Sequence, residues 1–119
     1  FKGNIVANGF NIGYLEMPQV SAGNVTLALS DSGKHYYSTA ASPTTITVPN
    51  NSNIAYPNGT VITIVNQGTG NITVGKQNSV NLYLASNSTS ATRTITTYGV
   101  ATLIKVATDS WFINGTGVV

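Results

Sequence analysis

No window of eleven residues in this chain carries apolar side chains at the i, i+3, i+4, i+7 spacing of an amphipathic helix. What recurs is alternation with a period of two. Asn24-Val-Thr-Leu-Ala-Leu29 puts Val25, Leu27 and Leu29 on one face, and Thr44–Val48 and Val80–Leu84 repeat the pattern. The runs stop at clusters of turn formers: Ser30-Asp-Ser-Gly33, Pro49-Asn-Asn-Ser52, Pro57-Asn-Gly-Thr60 and Asn66-Gln-Gly-Thr-Gly70. A chain with this period and this punctuation has to build sheets.

Lys34 to Thr39 reads as the strand returning from the first turn, with Tyr36 and Tyr37 on opposite faces. Val61–Val65 and Asn71–Val74 read as a hairpin across the glycine-containing loop between them. Ala85 to Ala91 is Ser/Asn/Thr-rich and reads as an exposed loop. Arg93–Thr97, Val100–Val106 and Trp111–Ile113 complete the series. The expectation is an all-β domain of about 8–10 short antiparallel strands, a β-sandwich or jelly roll. Gly3, Gly9, Gly13 and Pro18 break any long strand near the start. Residues 1–20 are therefore expected to form an N-terminal arm or lead-in, and 21–119 a single β domain.

Charged residues make up only 7% of the chain, against about 25% in an ordinary soluble domain. Asn, Thr, Ser and Gly take their place. Thr suits a pleated, half-exposed strand, and Asn and Gly suit tight turns, so the surface argues for strands as the core does. Lys2, Lys34, Lys76, Arg93 and Lys105 are scattered, without the basic run that neutralises consecutive phosphates, so no nucleic-acid partner is expected. No apolar stretch approaches the ~20 residues of a membrane-spanning helix, and Phe1-Lys2-Gly3 opens without the apolar run of a secretory leader. With no cysteine, a disulfide framework and thiolate metal sites are ruled out.

Titratable chemistry is sparse. Glu16, Asp31, Asp109 and His35 are the only carboxylates and imidazole. Ser30, Asp31, Ser32 and His35 spell the letters of a catalytic triad, but triads are assembled from separated elements, and these letters share one turn. The chain is expected to be no enzyme, with no cofactor and no metal site. Six Asn-x-Ser/Thr triplets, from Asn24 to Asn114, are what a composition so rich in these residues produces. Rings beside amides could form a sugar platform, and the candidates are Trp111, Tyr83 and Tyr98. The competing assignment puts Trp111 and Phe112 in the core or at a subunit contact.

Five segments in order resemble a β domain of tailed-bacteriophage structural proteins. Ile12-Gly-Tyr-Leu-Glu-Met-Pro-Gln19 resembles its G-Y-x-x-(I/M)-P-Q lead-in, and Thr26-Leu-Ala-Leu-Ser-Asp-Ser-Gly-Lys-His-Tyr36 its T-L-x-L-x-D-x-G-K-H segment. Thr45-Ile-Thr-Val-Pro-Asn-Asn-Ser52 and Pro57-Asn-Gly-Thr-Val-Ile-Thr-Ile-Val-Asn-Gln67 are similar to the two elements that follow. Ala101-Thr-Leu-Ile-Lys-Val-Ala-Thr-Asp-Ser-Trp111, then Gly115, resembles the A-T-L-x-K-V-x-x-x-x-W-x-x-x-G ending of phage fibre and virion-surface proteins. The resemblance implies a virion structural protein, a homotrimeric surface module serving as capsid decoration, cement or fibre. Its partners would be its own copies, other virion proteins and a host-surface glycan. The alternatives are a carbohydrate- or receptor-binding tip of a tail fibre and a non-viral secreted fibre subunit.

Overall fold

The computed structural model describes residues 17–119 and, before them, only the backbone of two strands, β1 (Ile5–Ala7) and β2 (Phe10–Ile12), which pair antiparallel. Most of the lead-in expected over residues 1–20 lies outside the described residues. Its last part enters strand β3 (Gln19–Ser21). After β3 come β4 (Val25–Thr26), β5 (His35–Ser38), β6 (Thr44–Val48), β7 (Val61–Asn66) and β8 (Ile72–Lys76). β9 (Asn81–Leu84), β10 (Arg93–Ile95), β11 (Val100–Ala107) and β12 (Ser110–Asn114) complete the chain. The only helical element among the described residues is a single 3-10 turn at Leu29–Asp31. The fold is nearly all β.

Two mixed sheets result: a six-stranded one in the order β3-β5-β7-β11-β12-β9 and a four-stranded one in the order β10-β8-β6-β4. From β3 to β11 each successive strand joins the opposite sheet. Like strands of successive passes therefore stack in parallel, β3 on β5 on β7 and β4 on β6 on β8. Gln19, His35 and Thr63 fall in one register row, and Val25, Ile46 and Val74 in another. The first half of the domain is thus wound as a coil. The second half closes it with antiparallel strands: β10 on β8, β11 on β7, and the β11–β12 hairpin, with β9 parallel to β12.

This winding corrects the expectation of uniformly antiparallel strands. Val61–Asn66 and Ile72–Lys76 do not form a hairpin, because they belong to different sheets. The glycines between them serve a stacked corner. Gln67 N and Gly68 N donate to Ser38 O at 2.8 and 3.1 Å, Gly70 N donates to Ala40 O at 3.0 Å, and Thr44 N donates to Asn71 O at 3.1 Å. A Cβ on Gly68 would lie 2.1 Å from Ala40 O, and one on Gly70 2.3 Å from Ser42 O. Only glycine lets the two corners come this close. The expected hairpin of Val25–Leu29 with Lys34–Thr39 is likewise replaced by strands in opposite sheets. Leu29 leaves the strand for the 3-10 turn, where Asp31 Oδ2 accepts Ala28 N at 2.7 Å, and its side chain is exposed.

Both sheets bury their inward faces in one apolar cluster. Ile46, Ile72, Val74 and Ile95 come from the smaller sheet, and Ile62, Ile64, Leu82, Leu103, Trp111 and Ile113 from the larger. The period of two assigns the faces of Thr44–Val48 and Val80–Leu84 correctly, and it separates buried Tyr36 from half-buried Tyr37. Two edges are covered. Thr94 and Val119 exchange N–H···O bonds along β10 at 2.8 and 2.9 Å, while Ser90 bridges Tyr83 and its Oγ accepts Leu82 N at 3.0 Å along β9. Covered edges give no template for open-ended strand addition at these two positions.

Candidate functional site: the outer face of the larger sheet

The letters of the triad do not converge. Asp31 is buried, and its Oδ2 also accepts the Tyr36 phenol at 2.8 Å. Tyr36 points inward, so its neighbour His35 points to the other side of the sheet. There His35 Nε2 lies 3.0 Å from Gln19 Oε1 and Nδ1 lies 3.1 Å from Met17 O. The carboxylate fixes a turn, and the imidazole ties the approach to β3 onto β5. Burial, then the bond to Asp31, holds the Tyr36 phenol well above its usual range. Burial likewise raises Tyr56, whose hydroxyl donates to Ala28 O. Both phenols are therefore structural donors at neutral pH. Among the described residues, no three His, Cys, Asp or Glu side chains are grouped to hold a metal ion.

The three aromatic candidates are placed far apart in role. Trp111 is 1% exposed, with the Tyr56 ring edge-on at 5.4 Å and 90°. It offers no face to a sugar, and this corrects its candidacy. Tyr98 is 74% exposed in the turn before β11, in the left-handed region at φ 62°. Tyr83 is half-buried and meets Phe112 with ring centroids 5.4 Å apart at 44°. Phe112 is thus the exposed aromatic of its strand. The signal was available: in Ser110-Trp-Phe-Ile-Asn114, Trp111 and Ile113 share a face and Phe112 takes the other.

The outward faces of the two sheets differ in kind. That of the smaller sheet carries Thr45, Thr73 and Thr94 in one row and Thr26 beside Thr47 in the next. Hydroxyl and methyl groups of this kind are at home in water. On the larger sheet, Val61, Ile104, Phe112 and Tyr83 fall in one register row across four adjacent strands. That row spans three strand spacings of about 4.8 Å each. Val65 and Val100 form a second apolar pair four residues along, and Val106 extends the patch beyond Ile104. Between the apolar rows run Thr63, Thr102 and Asn114. A shallow groove lies over this surface, lined by Ala85, Thr102, Ile104, Val106, Phe112 and Asn114 among others.

The inward side of β11 makes the contrast sharper. Lys105 is buried while Ile104 and Val106 on either side of it are exposed, the reverse of a sheet that meets water on its outer face. Val100–Val106 carries apolar residues at both parities, so alternation alone does not mark this patch.

No family model matches this chain, and no match is found among curated proteins.

Proposed function

We propose that the chain is a structural, non-catalytic subunit of a tailed-phage virion, a surface module on capsid or tail that assembles as a homotrimer. Its two layers act as a coiled sandwich, and three copies turn the outer faces of their larger sheets toward a common axis. The observation that carries this is the uncharged row Val61–Ile104–Phe112–Tyr83 on a strand face that, among the described residues, holds no Lys, Arg, Asp or Glu. Exposed apolar rows rimmed by polar residues mark interaction surfaces, and a copy of the same face supplies a partner of matching chemistry. The order of the five phage-like segments supports the same reading. So does a coat of Asn, Thr and Ser, which stays soluble without charges that salt would screen.

The test is Ile104→Lys combined with Phe112→Ser. Both side chains point outward, so the fold is expected to survive with an unchanged β circular dichroism spectrum. Self-association is expected to weaken by roughly 100-fold or more, because an ammonium would have to be desolvated at the centre of the contact. A double variant that associates as tightly as the parent chain would remove this face from the assembly.

One observation favours a second reading, a carbohydrate-binding tip. The Tyr83–Phe112 ring pair borders a hollow with Ser86, Asn87 and Ser88, which sets aromatic faces beside an amide and hydroxyls. On this reading glycan-array binding is lost in Tyr83→Ala and kept in Tyr98→Ala. The two readings compete for Phe112, so glycan binding by a stable monomer would replace the first with the second.

A further inference from the structure

The structure assigns a covalent role to Lys105: we propose that it is joined to Asn51 by an amide bond between Nζ of Lys105 and Cγ of Asn51, formed in the folded chain with loss of ammonia. Lys105 is 3% exposed and points between the sheets from β11. Its Nζ donates to Asn51 Oδ1 at 2.7 Å and to Tyr56 O at 2.6 Å. Both partners are neutral oxygens. Burying an ammonium against neutral oxygens is costly, and an apolar side chain of similar volume would avoid that cost. A lysine linked through an amide carries no charge, so the bond accounts for a long amine at this position.

The reacting atoms are in place. The carboxamide carbon of Asn51 lies one carbonyl bond, about 1.23 Å, beyond the oxygen that Nζ already touches. Asp109 Oδ1 accepts Asn51 N at 2.6 Å, which fixes the asparagine and sets a carboxylate beside it. Asp109 is itself held in the left-handed region at φ 53°, and its carbonyl accepts Asn81 N at 2.7 Å. Trp111 is the cross-strand partner of Lys105, and its ring packs on Tyr56, whose carbonyl receives the amine.

The chemistry needs no oxidant or other reagent. Lys105 and Asp109 form no direct ion pair, so the Asp109 carboxylate takes one proton from the ammonium through one bridging water, and the freed lone pair attacks Cγ to form the Nζ–Cγ bond. Nζ passes a second proton to Nδ2 as the Cγ–Nδ2 bond breaks. The departing ammonia takes the proton held by Asp109. One ammonium and one carboxamide become one secondary amide and one ammonium ion, and Asp109 ends as it began.

Intact-mass spectrometry of the purified chain decides the matter. The expected mass is below the sequence mass by one ammonia, about 17 Da. Digestion is expected to give a single branched species containing both Asn51 and Lys105. Lys105→Arg is expected to restore the full sequence mass. Asp109→Asn is expected to leave freshly folded protein unlinked. A parent chain at its full sequence mass, with separate linear peptides, overturns the proposal whatever the variants do. An ammonia loss that persists in Lys105→Arg overturns it too, since it would come from imide formation at Asn58-Gly59 or Asn114-Gly115. Linking at an undiminished rate in Asp109→Asn would remove Asp109 from the step.

Discussion

Asn66→Asp is expected to unfold the domain or leave it barely stable at room temperature, although it exchanges one amide group for an oxygen. Asn66 ends β7 and is fully buried. Its Nδ2 donates to Gly70 O, Ile95 O and Thr96 O at 3.0, 3.0 and 3.2 Å, and its Oδ1 accepts Gly68 N at 3.0 Å. One side chain thus fastens the glycine corner of the coil to the end of β10. In the aspartate variant an oxygen faces three carbonyl oxygens, and a carboxylate is desolvated without a cation. Asn66→Ala removes the clash but takes the side-chain donor from Gly70 O and Ile95 O, while the Gly68 amide keeps Ser38 O and Thr96 O keeps the Gly99 amide. Leaving buried polar groups unsatisfied costs about 1–3 kcal/mol each, so a loss of about 3–5 kcal/mol is expected for alanine and more for aspartate. Urea titration followed by tryptophan fluorescence measures both. An alanine variant within about 1 kcal/mol of the parent would show that the corner holds without its asparagine.

Trp111→Ala is expected to cost about 3–5 kcal/mol, the range for deleting a large buried aromatic whose surroundings cannot collapse into the space. Collapse is hindered because Trp111 lies in a ladder between β11 and β9, where Lys105 and Leu82 are its register partners. The Tyr56 ring loses its edge contact as well. The midpoint of urea unfolding is expected to fall in proportion while glycan binding, if any is present, stays with Tyr83. A variant of native stability that has lost only glycan binding would return Trp111 to the surface role the sequence suggested for it.

The period of two was a sound guide to which side chains face the core. It marked Ile46 and Leu82 and separated Tyr36 from Tyr37, although it also put the exposed Leu29 on the face of Leu27. It could not identify strand partners, because alternation records a face and carries nothing about which strand lies alongside. Asn66-Gln-Gly-Thr-Gly70 shows the difficulty. Asn and Gly suit a hairpin turn, and they equally suit a corner that stacks backbone to backbone on the previous pass. The candidate site was half legible. Val100-Ala-Thr-Leu-Ile-Lys-Val106 carries apolar residues on both faces, so alternation alone does not say which face turns inward. Lys105 is inward because Asn51 and the Tyr56 carbonyl receive it, and both lie far away in sequence.

Self-association through the larger sheet is tested most directly by the mass of the unaltered chain in solution, measured by sedimentation equilibrium over a range of dilutions. Three times the 12.4 kDa chain mass is expected, stable to added salt because the contact is apolar. A particle of 12.4 kDa at every concentration and ionic strength would contradict it.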